Sequence, residues 1–136
     1  MVQMIFVNLP VKDLPRSRAF FEALGYSFNA QFSNETAACL VISEQIYAMI
    51  MVHDKFREFS RREVCDTATS SEALICLSCE SREGVDELVA KAVAAGGSAH
   101  LEAKDYGMMY GHGFHDLDGH IWELMWMDPA AIHKAD

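Results

Sequence analysis

The sequence predicts an α+β protein made of two copies of one βαβββ module. Three observations predict it. A strand-like apolar segment followed by a capped helix occurs twice, once near each end of the chain. Each helix stops at glycine, Gly25 in the first case and Gly96-Gly97 in the second. Three further strand-like segments follow each helix. An internal repeat sets the architecture before any single element does.

In the first copy, residues 4–11 are β-rich and end at Lys12-Asp13. Asp13 suits an N-cap, and Pro15 fits a first helical turn. Leu14, Ala19, Phe20, Ala23 and Leu24 form the expected apolar face of a helix over residues 14–24. Residues 26–32 read as extended, and residues 36–42 and 46–52 as two strands joined around Ser43-Glu44-Gln45. Residues 53–71 are a long polar connection interrupted by Phe56 and Phe59. That pair predicts a short packed helix there, placed to close a cleft.

The order then repeats. Residues 73–79 form a strand, and Ser81 caps a helix whose apolar face is Val85, Leu88, Val89, Ala92 and Val93. Residues 98–102 are extended, residues 108–115 form a strand, Asp116-Leu117-Asp118-Gly119 is a turn, and residues 120–127 are the last strand. One domain is expected over residues 1–136. Its first module is 1–53, its connecting loop 54–71, its second module 72–128 and its tail 129–136.

Composition narrows the function. Half of the 136 residues are apolar (51%), as in a globular protein with a real core. The net charge of −9 repels phosphate backbones and anionic lipid, which argues against nucleic acid and membrane surfaces as partners. No apolar run approaches the ~20 residues of a membrane span. The N-terminus lacks the pattern of a signal peptide. Cys39, Cys65, Cys76 and Cys79 suit a reducing cytoplasm. Cys76 and Cys79 are three apart in a strand and face opposite sides, which is poor geometry for a shared metal. No phosphate-cradling glycine loop, nucleophile elbow or dinucleotide fingerprint is present.

Two segments, VNLPVKDLPRSRAFFEALGY at the start and DLDGHIWELMW at the end, resemble the vicinal-oxygen-chelate superfamily of glyoxalases, bleomycin resistance proteins and extradiol dioxygenases. The first is similar to that superfamily's opening strand and helix. The second is similar to its closing hairpin, where a Glu follows an Asp-x-Asp-Gly turn. The resemblance implies paired modules curled into an open barrel, homodimers, and a divalent metal as the customary cofactor. Counted from the helix caps and turns, its ligand positions fall on Phe6, Met49, Leu74 and Glu123. Only Glu123 can bind a hard or borderline cation, so no metal set is expected and no cofactor is assigned.

The chemically richest segment is residues 104–127. With residues 116–119 as the loop, His112 would stand opposite Glu123 and Tyr110 opposite Met125. Ile121, Glu123, Met125 and Met127 would share one face, and Trp122, Leu124 and Trp126 the other. Met108, Tyr110, His112 and Phe114 would join Glu123's face, with Tyr106 beside them. A carboxylate beside an imidazole is an acid–base pair, so Glu123 and His112 are the candidate catalytic residues. A structural ion pair is the competing account. A bulge at either nearby glycine would make His115 the partner instead. Asn8, Phe56, Tyr106, Met108, Tyr110, Phe114 and His115 are the candidate ligand-binding residues. The expected function is the binding of a small, partly apolar or aromatic molecule. The alternative is a lyase or isomerase, metal-assisted or using Glu123 as base.

Overall fold

A computed structural model describes residues 1–132. The chain forms two compact units, one ending at Asp66 and the other starting at Thr67. Each unit has its own open four-stranded sheet, and neither sheet closes into a barrel.

The first unit contains β1 (Ile5–Val11), α1 (Leu14–Ala23), β2 (Ser27–Asn29), β3 (Ala37–Val41), β4 (Ile46–Val52) and α2 (His53–Ser60). Its strand order is β1-β4-β3-β2, with β1 parallel to β4 and the other pairs antiparallel. Asp13 caps α1 by accepting the Arg16 amide at 3.1 Å, and Gly25 leaves the helix at a φ of +105° that a side chain would disfavour. The buried face of α1 is Leu14, Ser17, Phe20, Phe21 and Leu24. Ser17 and Phe21 take the places expected for Ala19 and Ala23, because the stripe steps by three residues more than by four. Phe20 and Phe21 meet edge to face at 5.0 Å between ring centres. The extended reading of residues 26–32 holds only to Asn29. A single 3₁₀ turn, Ala30–Phe32, follows. The polar connection does begin with the expected helix, α2.

The second unit contains β5 (Leu74–Ser78), α3 (Arg82–Ala94), β6 (Ser98–Asp105), β7 (Met109–His115), β8 (Ile121–Met127) and the short α4 (Pro129–Ile132). Its order, β5-β8-β7-β6, repeats that of the first unit, again with one parallel pair. Ser81 caps α3 by accepting the Gly84 amide at 2.9 Å. Val85, Val89 and Ala92 are buried, whereas Val93 turns outward. The helix packs on β7 and β8, whose Phe114, Trp122 and Leu124 are all buried. Arg82, at the start of α3, lies over the rings of Trp126 and Tyr110, 4.9 and 5.5 Å from their centres. Its guanidinium also reaches Asp105 at 2.5 Å and the Gly107 carbonyl at 2.6 Å. One arginine thus ties the β6–β7 turn to the helix.

The β7–β8 hairpin departs from the expected register by one residue. His115 pairs with Ile121, not His120, and Gly113, not His112, stands opposite Glu123. The cause is Asp116. This buried carboxylate accepts the amides of Asp118 and His120 through one oxygen, at 2.9 and 3.0 Å, and the Trp122 indole through the other, at 2.9 Å. His120 is thereby drawn into the turn, which becomes five residues long, 116–120. A one-residue slip sends every β7 side chain to the opposite face.

Candidate functional site

The register of the second sheet decides which side chains meet. One row across its four strands holds Cys76, Glu123, Gly113 and His100. The rows on either side hold Leu74, Ile121, His115 and Ser98, and Ser78, Met125, Gly111 and Lys104. These residues share the face turned away from α3, since alternate positions point the same way. A cleft of about 240 Å³ lies on this face, with Glu123, Cys76, His100, Lys104, Tyr106, Met109 and Met125 in its lining. Gly111 and Gly113 form its floor. A Cβ on Gly113 would sit 2.9 Å from the Trp122 carbonyl oxygen and 3.6 Å from the His100 Cβ. Glycine is therefore demanded by packing, and it leaves open space between Glu123 and His100.

Charge in the cleft is mixed. Glu123 and Glu102 supply carboxylates, and Lys104 supplies a cation. The Cys76 thiol is pushed up, first by burial and then by the Glu123 charge, so it stays protonated and is a poor nucleophile. Beside the cleft, His115 joins two groups: its Nδ1 is 3.0 Å from Ser98 Oγ and its Nε2 is 2.9 Å from His100 Nδ1. His115 is held below the ordinary imidazole range, chiefly by burial and then by His100, with Asp116 opposing weakly.

Glu123 stands in the cleft with Tyr106, and His115 is on its face. His112 also lines the cleft, but it stands opposite Leu124, not Glu123, and its Nε2 donates to the Leu101 carbonyl at 3.1 Å. Tyr110 is opposite Trp126 and donates its hydroxyl proton to Asp86 on α3 at 2.5 Å. Phe114 is buried and stacks with Trp122, 6.3 Å between centres. Met108 lies exposed in the turn before β7, and Met109 takes its expected place on the cleft face. Asn8 and Phe56 belong to the first unit. Asn8 is opposite Met49 and bonds its side-chain amide to the Phe6 carbonyl at 3.2 Å. Phe56 is half-buried on α2.

His100, Cys76 and Lys104 were not expected in the site. The ladder between β6 and β7 shifts between His100 and Lys104, where Leu101 adopts a φ of +58°. No residue type in that stretch announces a bulge. The signal that was available is the Ser98-x-His100 alternation, which puts both on one face.

The first unit repeats the arrangement with different chemistry. Its matching row is Asn8, Met49, Cys39 and Asn29. A cleft of about 440 Å³ nearby is lined by Phe6, Gln31, Phe32, Ser33, Asn34, Cys39 and Met49. Met49 thus occupies the place that Glu123 holds in the second unit. Phe6 stacks on Tyr47 at 4.8 Å, and Leu74 is exposed on the edge strand β5. Phenyl, isobutyl and thioether groups do not bind hard cations. Among the described residues, no three His, Cys, Asp or Glu side chains gather to hold a metal ion.

Comparison with known proteins agrees with this architecture. Residues 3–43 match the family described as bleomycin resistance protein-like N-terminal. No curated protein matches the chain. The hypothetical protein SA1046 from S. aureus is 30% identical, with a TM-score of 0.78 over 93% of this chain and 94% of that one. A glyoxalase-related enzyme from Fulvimarina pelagi is 22% identical, with a TM-score of 0.75 over 93% and 88% of the two chains. The fosfomycin resistance protein FosX from Listeria monocytogenes, in its hexagonal form, is 22% identical, with a TM-score of 0.67 over 93% of each chain.

Proposed function

From the premise that this chain belongs to the vicinal-oxygen-chelate superfamily, with the glyoxalase/bleomycin-resistance fold, we propose that it binds a small, partly apolar molecule in the second unit's cleft. The observation that carries this reading is the glycine floor between Glu123 and His100. Adjacent strands are about 4.8 Å apart, so the backbones carrying Glu123 and His100 stand roughly 10 Å apart with no side chain on the strand between them. Met109, Met125 and Tyr106 supply apolar contact, and Glu123 accepts a hydrogen bond from the bound molecule. Sites of this kind combine apolar walls with a few placed polar groups.

The site works without the superfamily's metal. Three of the four ligand positions, Phe6, Met49 and Leu74, have no donor for a hard cation. The chain acts as a homodimer in the cytoplasm. The exposed Ile5, Phe6 and Leu74 on the edge strands β1 and β5 support pairing, and the free thiols of Cys39, Cys76 and Cys79 support a reducing compartment.

A second reading is a lyase or isomerase with Glu123 as base. It is favoured by the carboxylate and imidazole that face each other across Gly113. Thermal unfolding with a panel of antibiotics, bleomycin among them, and aromatic metabolites tests the first reading. At least one compound should raise the melting temperature, and failure of the whole panel would sink it. Metal analysis of the purified protein tests the metal-free assignment. One tightly held divalent ion per chain would overturn it.

A further inference from the structure

We propose that Ser98, His115 and His100 form a proton relay from solvent to the cleft, which supplies a proton opposite Glu123. The inference rests on the cleft being the binding site. Its geometry is a continuous hydrogen-bonded line, Ser98 Oγ to His115 Nδ1 at 3.0 Å and His115 Nε2 to His100 Nδ1 at 2.9 Å. Ser98 is exposed at one end, and His100 lines the cleft at the other. All three lie on the sheet face that carries Glu123.

The line has two neutral proton arrangements of opposite sense. In one, the Ser98 hydroxyl donates to His115 Nδ1, His115 Nε2–H donates to His100 Nδ1, and His100 Nε2 carries its proton. In the other, His100 Nδ1–H donates to His115 Nε2, His115 Nδ1–H donates to Ser98 Oγ, and His100 Nε2 is a lone-pair acceptor. Passing from the first to the second releases one proton from His100 Nε2. His115 Nε2 gives its proton to His100 Nδ1, Ser98 gives its own to His115 Nδ1, and Ser98 regains one from solvent. No oxidant or other reactant is needed. One added proton leaves a donor and an acceptor facing each other across the contact between the rings. A second would set two N–H groups against each other at the 2.9 Å contact.

Other charged and titratable groups face this line. Glu102 and Lys104 are on β6, His112 is on β7, Glu123 on β8 and Cys76 on β5, all in the cleft lining. Asp116 lies in the turn that follows His115. None of them is hydrogen-bonded to either ring of the pair in the structure. His115 is a positioning residue: it acts through His100 and does not line the cleft.

The experiment follows the ring nitrogens of ligand-free protein by long-range ¹H–¹⁵N spectra from pH 4 to 9. The His100 and His115 resonances should each show two inflections, because protonation of either ring changes the hydrogen bond made by the other. In His115→Phe, His100 should show one inflection. Ser98→Ala should move the His115 curve, and Ser98→Thr should restore it. Single, independent inflections, unchanged by substitution of the other ring, would overturn the relay. Unchanged curves in Ser98→Ala would remove its solvent end and overturn it as well. No ligand enters this measurement. Linked titration without ligand binding would leave the relay standing and the binding reading refuted, and the reverse pattern would refute the relay alone.

Discussion

Gly113 is the strand partner of Glu123, and the missing side chain opens the space beside the carboxylate. The same glycine is the strand partner of His100 on its other side, so one position sets both cleft width and hairpin packing.

Gly113→Ala should therefore be costly. Its Cβ would press on the Trp122 carbonyl oxygen at 2.9 Å, a backbone atom that cannot swing aside. A destabilisation of about 1–3 kcal/mol is expected, read from urea unfolding. Gly111→Ala is the control. Its nearest neighbour would be the Leu124 carbonyl oxygen at 3.5 Å, an ordinary contact, and its cost should stay below about 1 kcal/mol.

The repeat, the helix caps and the strand sequence of each unit were legible because each rests on local signals, such as Asp13 and Ser81 as caps and Gly25 as a stop. The site was legible only in part. Glu123 was found because it follows a recognisable turn. The residue opposite it was missed because the length of that turn depends on Asp116 bonding to His120 and Trp122, a contact that alternation does not encode. That one-residue error put His112 in place of Gly113 opposite Glu123, and Met108 in place of Met109 on its face. His100 escaped notice because the β6 bulge at Leu101 carries no glycine or proline.

Asp116 gives a stability test with a defined sign. Burial, the largest influence, raises its carboxyl above the ordinary range, against the hydrogen bonds and His120, which lower it. The folded state then binds more protons than the unfolded one, so this group's contribution falls as pH rises from about 4 through the folded value. Asp116→Asn should cost about 1–3 kcal/mol at pH 4, since an amide donor would face the Trp122 N–H. The gap to the wild type should narrow toward pH 7, because only the wild type ionises. Denaturation series at several pH values check this, and a widening gap would contradict it.

His115 has the opposite sign. Its folded value is depressed, so its contribution is present above the ordinary imidazole value of 6.5 and is lost as pH falls through it toward the folded value. In His115→Phe, the fall in stability between pH 7 and 5 should be shallower than in the wild type. An unchanged slope would contradict the assignment.

Arg82 should act on the β6–β7 turn and not on overall folding. Arg82→Ala is expected to speed hydrogen exchange at the Gly107 and Met109 amides. Arg82→Lys should restore little, because a lysine cannot both fork to Asp105 and the Gly107 carbonyl and lie flat on Trp126. Exchange unchanged in Arg82→Ala would contradict the clamp.

The cleft beside Glu123 is tested most directly by calorimetric titration of whichever panel compound raises the melting temperature most. Glu123→Gln keeps the shape but removes the charge, and a hydrogen bond to a charged group contributes about 1.5–3 kcal/mol. Affinity should fall by roughly 10- to 100-fold. Phe32→Ala, in the cleft of the first unit, should leave it unchanged. Equal affinity in Glu123→Gln and the wild type, or a loss confined to Phe32→Ala, would contradict the account.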